Sequence, residues 1–160
     1  MPRIIGAVLV GAGLSVSGAV FQCIFKNPLA DPYTLGVSNG AGFGAAVAIV
    51  LSVSSLSVQS FAMTFGIFAV LLTFLLSIKN NKSTVTLILS GMLVSALFSS
   101  LVSLIKFVAD PFEKLPQIIY WLMGTMVGIN YSKIISVLPA YIIAMLIIYL
   151  YRWRINVLSM

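Results

Sequence analysis

Few side chains in this 160-residue sequence could do acid–base or nucleophilic chemistry. The carboxylates are Asp31, Asp110 and Glu113, the single thiol is Cys23, and the sequence has no histidine. One cysteine cannot form an intrachain disulfide or a cysteine-based metal cage, and the lack of histidine excludes histidine–zinc sites and Ser-His or Cys-His pairs. The sequence therefore predicts no catalytic residue, no bound metal and no cofactor.

Motifs for energy conversion and for intramembrane catalysis are also absent from the sequence. It has no Walker A loop, no His-Glu-x-x-His, and no charged residue near the middle of an apolar run. Proton-coupled transporters usually keep such ionisable groups, although each costs about 2.5–3.5 kcal/mol on insertion scales. Sodium coupling through backbone carbonyls stays open. Energy for any uphill transport is otherwise expected from a partner.

The composition indicates a protein that is surrounded by lipid. Hydrophobic residues make up 61% of the chain and charged residues 8%, whereas soluble domains carry roughly 25% charged residues. The nine basic residues stand singly or in pairs at the edges of apolar runs, and no basic stripe with interleaved aromatics is present. That arrangement predicts membrane lipid as a partner and excludes a nucleic-acid surface.

Long uncharged runs predict an all-α, polytopic membrane helix bundle, taken as a single transmembrane domain over 1–160. The first run has 22 residues, which as a helix would reach about 33 Å, enough for a hydrocarbon core of about 30 Å. Backbone amides in lipid need internal partners, so the runs must be helices. We expect five spans, at 4–25, 35–51, 61–78, 84–107 and 134–151. A short interfacial or re-entrant helix is expected at 115–127, ending near Gly124 or Gly128, where Tyr120 and Trp121 favour the membrane boundary.

The basic residues also predict sidedness. Five spans place five of the nine on one side of the membrane, facing Asp31 as that side's one acidic residue: Lys26, Lys79, Lys82, Arg152 and Arg154. The positive-inside rule assigns that side to the cytoplasm. The loop at 27–32 is then cytoplasmic, and the short aromatic helix is external.

Small residues recur at four-residue spacing in the second predicted span, at Gly36, Gly40, Gly44 and Ala48. Positions four apart share one face of a helix, and small residues there let two membrane helices approach closely. This row predicts tight helix packing and by itself indicates no chemistry.

The loop that follows the first span is the most distinctive local feature. It reads Asn27, Pro28, Leu29, Ala30, Asp31, Pro32, with two prolines four residues apart. On physical grounds alone it predicts a rigid bend between antiparallel helices.

Five segments of the chain together resemble one family. They are Pro-Arg-Ile-Ile-Gly-Ala-Val-Leu-Val-Gly-Ala-Gly-Leu-Ser-Val-Ser-Gly-Ala-Val-Phe-Gln (2–22), Asn-Pro-Leu-Ala-Asp-Pro (27–32), Leu-Gly-Val-Ser-Asn-Gly-Ala-Gly (35–42), Leu-Ile-Leu-Ser-Gly (87–91) and Tyr-Trp-Leu-Met-Gly (120–124). In this order they resemble the FecCD family, the permease subunits of ABC importers for iron-siderophores, haem and vitamin B12.

The resemblance implies a non-catalytic subunit of the cytoplasmic (inner) membrane with about ten helices in its complete form. This chain would correspond to the second to sixth helices and the short external helix. Implied partners are a second permease subunit, in a homo- or heterodimer, cytoplasmic ATP-binding subunits and an extracytoplasmic substrate-binding protein. Residues implied for a cytoplasmic gate are Asn27, Leu29, Ser83 and Thr84. The alternatives are part of a non-ABC secondary transporter and a truncated membrane protein without function.

Overall fold

The computed structural model describes residues 1–28, 30–78 and 83–159, and within them every regular element is helical. Six α-helices run in chain order: α1 Pro2–Phe25, α2 Val37–Val50, α3 Ser55–Ile78, α4 Thr84–Val108, α5 Lys114–Met123 and α6 Tyr131–Ser159. A 3-10 turn at Pro32–Leu35 precedes α2. The prediction of an all-α membrane bundle is therefore confirmed.

Four of these helices are long and apolar enough to cross a membrane: Pro2–Phe25, Ser57–Ile78, Thr84–Val108 and Tyr131–Val157. The second predicted span, 35–51, forms the shorter apolar helix α2, whose 14 residues reach about 21 Å. The helix begins late because Gly36 takes a left-handed backbone conformation, with φ +76°, directly before it. A left-handed residue interrupts the helical hydrogen bonding between the 3-10 turn and α2.

Helices α1 and α2 end in the same hydrogen-bonded motif. After α1 the amides of Lys26 and Asn27 donate to the carbonyls of Cys23 and Gln22. After α2 the amides of Ser52 and Val53 donate to the carbonyls of Ile49 and Ala48 in the same pattern. This is the Schellman motif, in which a left-handed residue stops the helix. Glycine usually occupies that position, but here Lys26 (φ +48°) and Ser52 (φ +57°) do.

Polar caps correct the predicted starts of two helices. Helix α3 begins at Ser55 rather than at 61, because the hydroxyl of Ser54 accepts a hydrogen bond from the amide of Ser57. Helix α6 begins at Tyr131 rather than at 134, because the side-chain oxygen of Asn130 accepts from the amide of Lys133. Serine and asparagine at these places are N-caps, so the serine-rich segment at 52–60 starts a helix in its second half.

One helix end decides between two expected positions, and another differs from its prediction. The short helix stops at Met123, at the first of the two expected ends and before 127, because Gly124 has φ +70°. Helix α6 continues to Ser159 rather than stopping at 151. Arg152 and Arg154 limit how deep the helix lies in lipid, but a charged side chain does not break helical hydrogen bonding.

The chain divides into two compact units: Met1–Pro32 with Met126–Met160, and Tyr33–Thr125. In the first, α1 packs on α6. In the second, α2 is the central helix and contacts α3, α4 and α5. One buried cluster there joins α2 to α3 and α5, and includes Ala45, Ala48, Val58, Ala62 and Ile118. A second cluster joins α3 to α4 through Ala69, Val94 and Phe98.

Candidate functional site

Backbone hydrogen bonds mark the start of the loop after α1. The amide of Asn27 completes the Schellman motif, and its carbonyl accepts a hydrogen bond from the amide of Ala30 over 3.1 Å. Ala30 is buried, and Pro32 starts the 3-10 turn. Leu29 lies outside the described residues. Asn27 therefore lies at the point where α1 ends, and the bend that the prolines predict stays a prediction.

Ser83 and Thr84 start α4. The hydroxyl of Ser83 accepts a hydrogen bond from the amide of Thr86 over 3.1 Å and lies 2.7 Å from the Thr86 hydroxyl. Both Ser83 and Thr84 are exposed. Ser83 thus caps the helix and also presents a polar group to its surroundings. Asn27 belongs to the first compact unit and this pair to the second.

The 3-10 turn before α2 is held between α3 and α4. The hydroxyl of Thr73, which is fully buried on α3, donates to the carbonyl of Leu35 over 3.0 Å. On the α4 side, a Cβ added at Gly91 would collide with the backbone of Thr34. Only glycine lets the turn and α4 approach this closely. The Leu-Ile-Leu-Ser-Gly segment therefore ends at the contact that seats the turn.

Two glycines of the predicted small-residue row face α3. A Cβ at Gly40 would lie 2.6 Å from the Cβ of Ala69, and one at Gly44 would lie 2.5 Å from the carbonyl oxygen of Phe61. Ala48 is fully buried in the cluster that α2 shares with α3. Gly36 departs from the row, because it precedes the helix and its nearest neighbours are Ser95 and Val94 of α4. Gly40 and Gly44 thus bring the α2 and α3 backbones together.

At the C-terminal end of α2, a charged side chain of α5 contacts the residue that stops the helix. The ammonium group of Lys114, at the start of α5, donates to the hydroxyl of Ser52 over 2.6 Å. It also lies 3.6 Å from the carboxylate of Glu113, which is exposed. Spacing in the sequence gave no indication of this pair. Ser52 also has a left-handed backbone conformation, which the sequence pattern does not indicate.

Within the described ranges, no group of three or more His, Cys, Asp or Glu residues could hold a metal ion. In the first unit, an open apolar groove of about 570 Å³ runs along α6 from Tyr141 to Arg152, with Val16 of α1 on its other wall. The guanidinium of Arg152 lies 4.2 Å from the ring centre of Tyr149.

Comparison with known proteins identifies the family. The model of the FecCD transport family matches residues 1–160. The chain belongs to the FecCD transport family. The molybdate import permease MolB of Haemophilus influenzae is 42% identical over 100% of this chain and 48% of its own length. The cobalamin import permease BtuC of Halobacterium salinarum is 37% identical over 99% and 43%. The chain spans about half the length of these relatives.

A solved structure agrees with the FecCD assignment. It is described as an inward-facing conformation of a metal-chelate type ABC transporter, and superposes with a TM-score of 0.91 at 40% identity. The match covers 99% of this chain and 51% of that one. As a FecCD chain with four long apolar helices, the protein is a multi-pass protein of the inner membrane.

Proposed function

We propose that this chain forms part of the permease subunit of an ABC importer that moves a metal chelate across the cytoplasmic membrane. The family match over the entire chain is the observation that carries the proposal. The subunit is not an enzyme. ATP hydrolysis is assigned to a separate cytoplasmic partner, since the sequence has no Walker A loop.

The proposed cargo is an iron-siderophore or a related chelate such as haem or cobalamin. Relatives with similar identity are named for different cargoes, molybdate in one case and cobalamin in another. The long helices bear few charged side chains, which suits weak contacts with a bulky chelate, because tight binding in the path would slow release. A direct comparison of cargoes therefore decides between a chelate and an oxyanion.

The proposed assembly has two permease subunits, two ATP-binding subunits and an extracytoplasmic binding protein. ATP binding at the partner would shift the permease between inward-open and outward-open states through differential contacts. Asn27, Leu29, Ser83 and Thr84 are proposed for the cytoplasmic gate. That places the Asn27–Pro32 loop in the cytoplasm and α5 outside, as the basic residues suggest.

The test is uptake into proteoliposomes by the gene product that contains this chain, assembled with its ATPase and binding protein. Radiolabelled ferric siderophore, cobalamin and molybdate are supplied separately, with an ATPase variant lacking its Walker A lysine as control. ATP-dependent uptake of a chelate supports the proposal. Uptake that persists with the inactive ATPase would indicate a secondary transporter, and uptake of molybdate alone would refute the proposed cargo.

A further inference from the structure

Helix α5 lies antiparallel to α2 and contacts it through one row of residues four apart. Leu122 approaches Gly42 so closely that a Cβ there would be 2.9 Å from the leucine Cδ2. Ile118 is fully buried in the cluster that contains Ala45. Lys114 bonds Ser52. The three contacts follow α2 from its second turn to just beyond its end.

Of these contacts, only the one between Lys114 and Ser52 is directional. Small side chains on α2 offer Ile118 and Leu122 a smooth surface, and dispersion contacts have no preferred direction. A charge-assisted hydrogen bond of 2.6 Å has a specific geometry and is stronger than a neutral one. The Lys114 side chain is 18% exposed, whereas Ser52 is exposed.

The loop between α4 and α5 supplies a local anchor of a different kind. The carboxylate of Asp110 accepts hydrogen bonds from the amides of Phe112 and Glu113. These bonds span two or three residues and shape the turn itself. They do not fix how α5 is aligned on α2, because none of their partners lies on α2.

We infer that Lys114 is a positioning residue, which fixes α5 on the turn between α2 and α3 through Ser52. Tyr120 and Met123, on the exposed side of α5, then keep one orientation. The location of that face at the extracytoplasmic end of a permeation path rests on the proposed function. The alignment of α5 on α2 does not depend on it.

The first test measures the mobility of α5 directly. A nitroxide is attached at Tyr120→Cys, with Cys23→Ser removing the native thiol, and its spectrum is recorded in lipid nanodiscs. Lys114→Met is expected to mobilise the label, and Lys114→Arg to keep it immobile. Lys106→Met removes the same charge at the end of α4 and is the matched control. An unchanged spectrum in Lys114→Met would overturn the inference.

The second test separates positioning from general stability. Ser52→Gly removes the acceptor but relieves the left-handed backbone, so global unfolding should occur at an equal or higher denaturant concentration. The label on α5 should nevertheless become mobile. Ser52→Asn keeps a side-chain acceptor and tolerates the same backbone conformation, so its label should stay immobile. An immobile label in Ser52→Gly would contradict the role of this hydroxyl.

The third test links α5 to transport. In the assembled importer, Lys114→Met and Ser52→Gly should lower the maximal uptake rate while the half-saturating concentration of binding protein is unchanged. Equal uptake rates in wild type and both variants would show that the position of α5 does not affect transport. A wild-type complex that takes up no candidate cargo counts against the proposed function, whereas the spectra still decide whether Lys114 positions α5.

Discussion

The hydroxyl of Thr73 donates a hydrogen bond to the carbonyl of Leu35, 38 residues earlier in the chain, and both residues are buried. The carbonyl belongs to the 3-10 turn before α2, where helical hydrogen bonding is interrupted. In lipid such a group has no water to bond, so a side chain from a neighbouring helix must satisfy it. The irregular backbone at 32–36 is therefore stabilised from α3.

Replacing this hydroxyl tests that role. Thr73→Val keeps the shape but leaves the Leu35 carbonyl without this donor, which should lower the free energy of unfolding by about 1–3 kcal/mol. The matched control is Thr64→Val on the same helix, because Thr64 is exposed and bonds the backbone of its own helix at Ser60. The control should change by less than about 0.5 kcal/mol. Unfolding in mixed SDS micelles, followed by circular dichroism, measures both; equal losses would contradict the prediction.

Close packing of α2 on α3 is tested at Gly44. Gly44→Ala places a methyl group 2.5 Å from the carbonyl oxygen of Phe61, so the helices must move apart, at a cost of about 1–3 kcal/mol. Gly66→Ala, at the same interface, meets its nearest atom at 3.5 Å and fits. It should stabilise the protein by up to about 1 kcal/mol through lower backbone entropy. The prediction fails if the two variants unfold at the same SDS fraction.

Ser83 has a structural role that can be separated from a role in the gate. Ser83→Ala removes the cap of α4 and should cost about 1 kcal/mol, whereas Ser83→Asp keeps a capping oxygen and should retain stability. If Ser83 also forms part of the gate, Ser83→Asp should still reduce ATP-dependent uptake, because it adds a charge at an exposed position. Normal uptake by the stable Ser83→Asp variant would remove Ser83 from the gate.

The left-handed residue after α1 predicts a stabilising substitution. Lys26 has a left-handed backbone conformation, which is sterically unfavourable for a residue with a side chain. Lys26→Gly removes this cost, and we expect a gain of about 1 kcal/mol in the free energy of unfolding. The control Lys106→Gly makes the same replacement inside α4, where glycine should cost about 1 kcal/mol. The same Lys→Gly replacement should thus raise the free energy of unfolding at position 26 and lower it at position 106. A loss of stability in Lys26→Gly would contradict the left-handed conformation assigned to Lys26.

The sequence predicts the helices well where a long apolar run is bounded by charge. Helix α1 ends at Phe25, next to Lys26, and α4 begins at Thr84, as expected. Predictions are less accurate where helices extend beyond the apolar run, because Ser54 and Asn130 cap helices in polar sequence. At the C-terminal end, Arg152 and Arg154 continue α6, since leaving the hydrocarbon does not end a helix.

The site is harder to foresee from the sequence. Gly40 and Gly44 are predictable because four-residue spacing places them on one face. The position of Gly36 is not, since its left-handed conformation depends on the turn that Thr73 and Gly91 hold. The bond from Lys114 to Ser52 joins residues 62 positions apart, and no local pattern encodes such a pair. The proposed gate residues remain predictions.

Gly91 limits the motions open to α4. Its missing side chain admits the backbone of Thr34, and every neighbouring position on α4 carries at least a Cβ. Rolling α4 about its own axis by one residue would turn such a side chain into that backbone. The contact at Gly91 therefore prevents rotation of α4 about its own axis. Helix α4 can still tilt without breaking this contact, provided that the start of α2 moves with it.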